Sequence, residues 1–213
     1  MLQILYLDEV DSTQTYLKNL LQKTTQQKLP IAVSSEMQTN GIGSRDNSWS
    51  GIRGNLFLSF AIPLDKLPQD LKLESASIYF AYLLKETLSE LGSEVFLKWP
   101  NDFYIKDKKI GGMITNIIEN TLVCGVGINL IEAPVEFEII DIELDKRQLI
   151  EGYLKKVEKN LLWKKVFRKY KLEFHNNHKL FVHIKNKKVS LSNAKLEEDG
   201  SLNIDGERIY SLR

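Results

Sequence analysis

The sequence predicts an α+β fold, in which a mixed β-sheet carries helices on one face and a small β-domain follows. Residues 56–62 are almost wholly apolar, as expected of a buried strand, and residues 73–91 have the periodicity of an amphipathic helix. Residues 175–213 change to about five short alternating segments separated by Asp-Gly turns, which are typical of antiparallel hairpins. We therefore expect a larger domain over residues 1–174 and a smaller one over residues 175–213.

The composition is that of an ordinary globular protein of 213 residues, with a net charge of +1. This charge gives no reason to expect a nucleic acid or a membrane as partner. The single cysteine, Cys124, excludes a disulfide within the chain and indicates a reducing compartment. Because the start of the chain lacks the basic segment of a signal peptide, and no stretch is long enough to span a membrane, we expect a cytoplasmic protein.

The first elements alternate between strand and helix. Residues 4–7 form a short apolar strand, and residues 13–23 have apolar side chains at helical spacing, with Ser12 placed to cap the helix. Residues 31–34 read as a buried strand. Residues 39–55 are then nearly free of aliphatic side chains, and connections of this length are usually functional or disordered.

This polar loop contains the first candidate binding residues. Its glycines at 41 and 43 do not form a dinucleotide fingerprint, since position 46 is Asp. A flexible loop with Arg45 and Arg53 could fold over a ligand, although a disordered surface loop has the same composition. Trp49 favours the first interpretation, because a large aromatic side chain in a polar loop must pack against something.

A second candidate lies where an apolar strand, residues 95–97, meets Lys98. Pro100 removes a backbone donor and ends the ladder, and residues 101–102 supply turn chemistry. The adjacent glycines 111–112 would let the backbone approach a ligand closely. A cation at a rigid strand end suits an anionic ligand, but a surface hairpin with a solvated lysine is equally consistent with these residues.

The remaining patterns are less specific. In the strand 122–131, Gly125 and Gly127 lie on one face with Asn129 beside them, so a flat ligand or a β-bulge would fit there. Residues 145–173 predict one long helix or two, with a basic surface. Such a surface is usually a solvated helix face, and docking of an acidic partner is the alternative.

Taken in order, five of these segments resemble motifs of the biotin protein ligases. They are Asp11-Ser12-Thr13-Gln14, residues 38–49, Lys98-Trp99-Pro100-Asn101-Asp102, residues 109–113 and residues 125–129. The third matches the "KWPND" signature of the family in full. The resemblance covers residues 4 to about 174, and residues 175–213 resemble the SH3-like C-terminal domain of the family more weakly. It implies a class II synthetase-like catalytic domain and, without a helix-turn-helix before Ile4, a ligase with no operator-binding function.

The resemblance implies an ATP-dependent reaction with Mg²⁺, in which biotin is activated as biotinyl-5′-AMP and transferred to a lysine of a biotin carboxyl carrier protein. That carrier would be an acetyl-CoA carboxylase subunit or part of another biotin-dependent carboxylase. Because the first step brings two anions together, it needs a positioned cation, and Lys98 and Arg45 are the expected catalytic residues. The residues implied for biotin are Ser12, Thr13, Gln38, Gly41, Lys98, Gly111, Gly112 and Gly125. Those implied for ATP or the adenylate are Arg45, Trp49, Lys98, Asn101 and Asn129.

The polar loop departs from the family pattern. Arginines of the family are replaced by Ile42 and Ser44, and Asp46 and Asn47 stand in place of a glycine and an arginine. We expect nucleotide binding to depend on Lys98, Arg45 and Mg²⁺, with Arg53 as a possible substitute for a missing arginine.

Two other functions stay open at this point. One is a lipoate or octanoyl ligase or transferase of related fold, and the other is a non-catalytic biotin-binding module. The resemblance also implies a possible homodimer, formed through a sheet edge that the acceptor protein could use as well.

Overall fold

The computed structural model describes residues 3–23, 31–44, 47–184 and 187–210. Its helices are α1 (Thr13–Lys23), α2 (Ala76–Glu90), α3 (Lys146–Glu158) and α4 (Trp163–Glu173), with 3₁₀ turns at Leu64–Lys66, Leu73–Ser75 and Phe174–Lys179. The strands of the larger unit are β1 (Gln3–Val10), β2 (Ile31–Gln38), β3 (Gly41–Ile42), β4 (Ser48–Trp49), β5 (Leu56–Pro63), β6 (Phe96–Lys98), β7 (Asp102–Ile105), β8 (Lys108–Ile118) and β9 (Thr121–Ile128). Five strands follow: β10 (Phe181–Ile184), β11 (Lys187–Ser190), β12 (Lys195–Leu196), β13 (Leu202–Ile204) and β14 (Glu207–Ile209).

Seven strands form the central sheet, in the order β1-β2-β5-β9-β8-β7-β6. β1 and β2 are parallel, and every other neighbouring pair is antiparallel, so the sheet is mixed as predicted. The α+β class is therefore confirmed. The polar loop contributes a separate two-stranded hairpin, β3 with β4, which the sequence did not predict.

The two faces of the sheet pack against different helices. Leu58 and Phe60 of β5 alternate with Ala61, and the first two join a large core cluster with α2, α3 and α4. Ala61 faces the other way and packs with Leu17 of α1. The expectation that α1 and α2 share one face is wrong: both faces of β5 are covered, which is why that strand is apolar throughout.

The basic segment is two helices. Asp145 caps α3, where its side chain accepts a hydrogen bond from the backbone N–H of Gln148 at 2.9 Å. The chain then reverses around Asn160, which has a positive φ of 48°, before α4 begins. The predicted helix over 73–91 is a 3₁₀ turn followed by α2.

The five C-terminal strands are present but form two small antiparallel sheets, β10-β11 and β12-β13-β14. Apolar side chains of both sheets, such as Val182 and Leu202, belong to the same core cluster as α2 and α4. The division at residues 174 and 175 stays a prediction. Of the helices that the structure describes, none is long and apolar enough to cross a membrane.

Candidate functional site

A pocket opens on the face of the sheet that α1 covers. It is lined by the start of α1, the β3-β4 hairpin and the strands β5, β7, β8 and β9, and it has a volume of about 490 Å³ that includes solvent at its mouth. The motifs singled out in the sequence, which are far apart along the chain, meet here.

Three glycines form the floor of the pocket. Gly112 and Gly127 are directly paired across β8 and β9, and Gly125 lies two residues from Gly127 on the same face. A Cβ atom at Gly127 would lie 2.5 Å from Nε1 of Trp49, and one at Gly125 would clash with Oε1 of Gln14. Glycine is therefore required at both positions by the groups that lie on this floor.

One end of the pocket is a buried network of uncharged polar groups. Oε1 of Gln38 accepts hydrogen bonds from the backbone N–H of Thr13 at 2.8 Å and from its hydroxyl at 3.1 Å. The Thr13 hydroxyl lies 2.9 Å from the hydroxyl of Ser59, which donates to Oε1 of Gln14 at 3.1 Å. Ser12 lines the same end, with its Oγ 3.4 Å from the backbone N–H of Thr15 near the start of α1. Such a network can recognise a neutral ligand group that both donates and accepts hydrogen bonds.

The other end of the pocket is charged and aromatic. Nζ of Lys109 lies 2.7 Å from Oδ1 of Asp102, and both side chains line the pocket beside Gly112. The same Nζ is 5.9 Å from the ring centre of Trp49, whose indole lies over Gly127. The indole Nε1 is buried without a hydrogen-bond partner in the described part of the chain. An anionic ligand group with a planar ring would fit these side chains.

Lys98 lies on the pocket face but outside the residues that line the pocket. Its pairing with Asp102, which pairs in turn with Gly112, puts these three positions on one face of the sheet. Nζ of Lys98 donates to the hydroxyl of Tyr104 at 3.1 Å. Burial, and secondly the charge of Asp102, raise the pKa of Tyr104 to about 12, so this hydroxyl stays protonated at neutral pH.

The other predicted site residues divide into two groups. Gln38, Trp49, Asn101, Gly112 and Gly125 line the pocket together with Ser12 and Thr13. The side chain of Asn101 is held in place because its Nδ2 donates to the carbonyl of Met113.

The second group lies elsewhere. A Cβ atom at Gly111 would meet Ile128 and the carbonyl of Gly127, because Gly111 faces the α2 side of the sheet. Asn129 is buried and does not line the pocket, and its Nδ2 donates to the carbonyl of Glu138 at 3.2 Å. Gly41 does not line the pocket but lets β3 approach Gln38 and the carbonyl of Trp49.

Of the two arginines of the loop, the structure describes Arg53. Arg53 is exposed and bonded to the carboxylate of Asp8 at 2.6 and 3.1 Å, so the expectation that it substitutes for a missing arginine in the pocket is wrong. Arg45 lies outside the described residues.

Other lining residues were not predicted as site residues, and among them are Gln14, Ser59, Asp102, Lys109 and Gly127. Ser59 carried a signal, since it is a hydroxyl inside an otherwise apolar strand. Gly127 shares the period-two spacing of Gly125. Lys109 begins the motif at residues 109–113, but strand alternation alone would put Lys108 on the face of Gly112 instead. A β-bulge between Phe103 and Tyr104 shifts the pairing here.

Comparison with known proteins identifies the family. Residues 6–130 match the family described as the biotin/lipoate A/B protein ligase family. The chain belongs to this family. A crystal structure described as the biotin acetyl coenzyme A carboxylase synthetase of Helicobacter pylori with bound biotinylated ATP superposes with a TM-score of 0.92 at 40% identity, covering 99% of this chain and 100% of that one. The likeness therefore extends beyond the matched family region to the C-terminal sheets.

Two further relatives are more distant. The biotin protein ligase of Aquifex aeolicus, in complex with biotin and ATP, has the same fold, with a TM-score of 0.78 and 23% identity over 99% of this chain and 96% of that one. The bifunctional ligase/repressor BirA of Escherichia coli is 32% identical over 139 residues. These are 62% of this chain and 42% of the relative, so the match spans less than half the length of that protein.

Proposed function

We propose that the chain is a biotin protein ligase, which activates biotin with ATP as biotinyl-5′-AMP and transfers it to a lysine of a biotin carboxyl carrier protein. One observation carries this proposal: the pocket joins a neutral hydrogen-bonding end to a cationic and aromatic end over a floor of glycines. Biotin has a neutral ureido head and an anionic tail, and the adenylate adds a phosphate and a planar base. The full-length likeness to a synthetase bound to biotinylated ATP supports the same assignment.

In the first step, the biotin carboxylate attacks the α-phosphate of ATP, and pyrophosphate leaves. Thr13, Gln38 and Ser59 are suited to hold the ureido group, because together they offer donors and acceptors in a buried setting. Lys109 lines the pocket at the opposite end and can offset the negative charge where the two anions meet. Lys98, on the same sheet face, is the second candidate for this role.

In the second step, the amine of the acceptor lysine attacks the carbonyl carbon of the mixed anhydride. An amide bond forms, AMP leaves with the electron pair of the broken bond, and the proton of the amine passes to solvent.

Mg²⁺ would enter this site bound to the phosphates of ATP. Asp102 is a carboxylate at the charged end of the pocket, and it is already paired with Lys109. Within the described residues there is no cluster of three or more metal-ligating side chains. Magnesium sites of this kind need only one or two protein carboxylates, so the donor set fits an ion shared with the substrate.

A cytoplasmic location and a homodimer belong to the same proposal. β7 covers β8 only from Lys108 to Gly112, so the rest of β8 has no strand partner on that side among the described residues. A second copy or the acceptor protein could add a strand there.

An Ile117→Lys variant should keep adenylate formation and lose either dimerisation in size-exclusion chromatography or labelling of the carrier domain.

The test of the main proposal is biotin-dependent exchange of radioactive pyrophosphate into ATP, followed by labelling of a biotin carboxyl carrier domain. Exchange without labelling would restrict the chain to adenylation, and no exchange would leave only a binding module. Thermal-shift ranking of biotin against lipoate and octanoate, each with ATP, separates the ligase activities within the family. A larger shift with lipoate would contradict the biotin assignment.

A further inference from the structure

The last strand of the central sheet is completed by a side chain instead of another strand. β6 lies at the end of the strand order, so its outer edge has no neighbouring strand among the described residues. The carboxamide of Asn177 covers this edge: its Oδ1 accepts from the backbone N–H of Trp99 at 2.7 Å, and its Nδ2 donates to the carbonyl of Leu97 at 3.1 Å. A neighbouring strand would bond the same two groups.

These two backbone groups lie on either side of Lys98. Leu97 and Trp99 are buried in the core cluster on the α2 side, whereas Lys98 lies on the pocket face. Asn177 is fully buried, so both bonds are shielded from competing water. The backbone that leads into Asn101 and Asp102 at the pocket therefore has a fixed position at its start.

A second contact ties Trp99 to the C-terminal sheets. Its indole Nε1 donates to the carbonyl of Gly200 at 2.8 Å. The same turn accepts a hydrogen bond from Nε1 of Trp163, at the carbonyl of Glu198, at 2.9 Å. Ser75 donates its hydroxyl to the carbonyl of Asp199. Among these donors Trp99 alone is next to the pocket segment, so the other contacts can be removed as controls.

We propose that Asn177 is a positioning residue for the pocket: it fixes the end of β6 and, through it, Lys98, Asn101 and Asp102. This inference rests on the proposed ligase function. The geometry predicts a selective effect, because the network that would hold the neutral head of biotin, around Thr13 and Gln38, has no contact with Asn177 among the hydrogen bonds of the described chain. Transition-state stabilisation should suffer and ground-state binding of biotin should not.

The experiment compares three variants in the pyrophosphate exchange assay and in hydrogen–deuterium exchange. Asn177→Ala removes both bonds and should lower kcat by about 10- to 100-fold with little change in the KM for biotin, since small displacements of positioned groups have effects of this size. Its Trp99 amide should exchange at least about tenfold faster. Asn177→Asp keeps the acceptor for Trp99, so that amide should stay protected and kcat should be higher than in Asn177→Ala.

Ser75→Ala is the control, because it removes a contact of the C-terminal turn that also binds the indole of Trp99, and it leaves both hydrogen bonds of Asn177 to β6 in place. It should keep kcat within about twofold. An equal loss of kcat in Ser75→Ala, or an unchanged kcat in folded Asn177→Ala, would refute the positioning role. If neither Asn177 variant folds, hydrogen–deuterium exchange of the Trp99 amide in the wild type decides. Deuterium exchange as slow as that of the amides in β9 supports the proposal, and fast deuterium exchange refutes it. If the wild-type protein shows no biotin-dependent pyrophosphate exchange, that result contradicts the proposed function and not the positioning role.

Discussion

Two lysines are candidates for the cation at the proposed adenylation site. The sequence favoured Lys98, which ends a strand within the KWPND segment, whereas the pocket is lined by Lys109. We predict that Lys109→Ala lowers the rate of biotin-dependent pyrophosphate exchange about 100-fold or more, because a positioned charge in a desolvated site has an effect of this size. The measurement is kcat and the KM values for biotin and ATP.

Lys108→Ala is the control for charge alone, since Lys108 is on the same strand and pairs with Glu138 at 3.6 Å outside the pocket. Its exchange rate should equal that of the wild type. Lys98→Ala should fold normally and also lose adenylate formation if both cations act. Full activity in Lys109→Ala together with inactivity in Lys98→Ala would return the role to Lys98 alone.

The glycine floor gives a second prediction for single residues. Gly125→Ala would push a methyl group into the amide of Gln14 and within 3.3 Å of the hydroxyl of Ser59. The network around Thr13 must then rearrange, and we expect affinity for biotin to fall by about 10-fold or more, with a loss of about 1–3 kcal/mol in the free energy of unfolding. Isothermal titration calorimetry and denaturant unfolding measure the two effects.

Gly152→Ala is the matched control. Gly152 lies inside helix α3, and its new methyl group would lie at an ordinary contact distance of 3.7 Å from Thr87 of α2. Replacing a mid-helix glycine should raise stability by about 0.5–1 kcal/mol and leave affinity for biotin unchanged. If Gly125→Ala binds biotin like the wild type, ligands do not use this floor.

At the scale of elements, the strands of the sheet and the helical segments were predictable, although residues 145–173 were left as one helix or two. The arrangement of these elements was not predictable. Strand and helix periodicity show which side of an element is apolar, but not which face of the sheet will receive it. The side of α1 is decided by Leu17 packing against Ile31 and Val33, which are long-range contacts. For the same reason the sequence could nominate Gly125 but could not reject Gly111, whose face depends on its pairing with Ile128.

The β3-β4 hairpin is the element whose position a bound ligand should change most. Trp49 covers Gly127 with its indole nitrogen unpaired, and its ring meets Phe137 edge-on at 6.2 Å. We predict that biotin with ATP moves this side chain. The chain has three tryptophans, so ¹⁹F NMR of protein labelled with 5-fluorotryptophan should show one large shift, assigned to Trp49 by its loss in Trp49→Phe.

The other two tryptophans serve as internal controls. Trp99 and Trp163 each donate their indole N–H to a carbonyl of the C-terminal turn, at 2.8 and 2.9 Å. Their resonances should shift much less than that of Trp49. A stationary Trp49 resonance in the presence of saturating biotin and ATP would show that the hairpin already has its final position.

At the scale of the whole molecule, the predicted division at residue 174 competes with a continuous core. Side chains such as Leu191 and Leu196 belong to one hydrophobic cluster with Tyr79 and Phe167. We therefore predict a single calorimetric transition, with a calorimetric enthalpy equal to the van't Hoff enthalpy. Two resolved transitions, the smaller lost on removal of residues 175–213, would instead favour two domains that unfold independently.

The carboxylate of Asp199, in the turn between the C-terminal strands, makes a contribution to stability that can be measured through its pH dependence. Burial raises the pKa of its carboxyl, but hydrogen bonds from Ser201 and Arg208 outweigh this and hold the pKa below its ordinary value of 3.8. A lowered pKa in the folded state means that the carboxylate stabilises the protein above the unfolded pKa, and that this stabilisation is lost as the pH falls through the folded value.

Asp199→Asn should thus lower Tm by about 2–4 °C at pH 7. The difference from the wild type should shrink below about pH 4. Scanning calorimetry of both proteins from pH 7 to pH 3 measures it, and a difference that stays constant over this range would show that Asp199 acts without its charge.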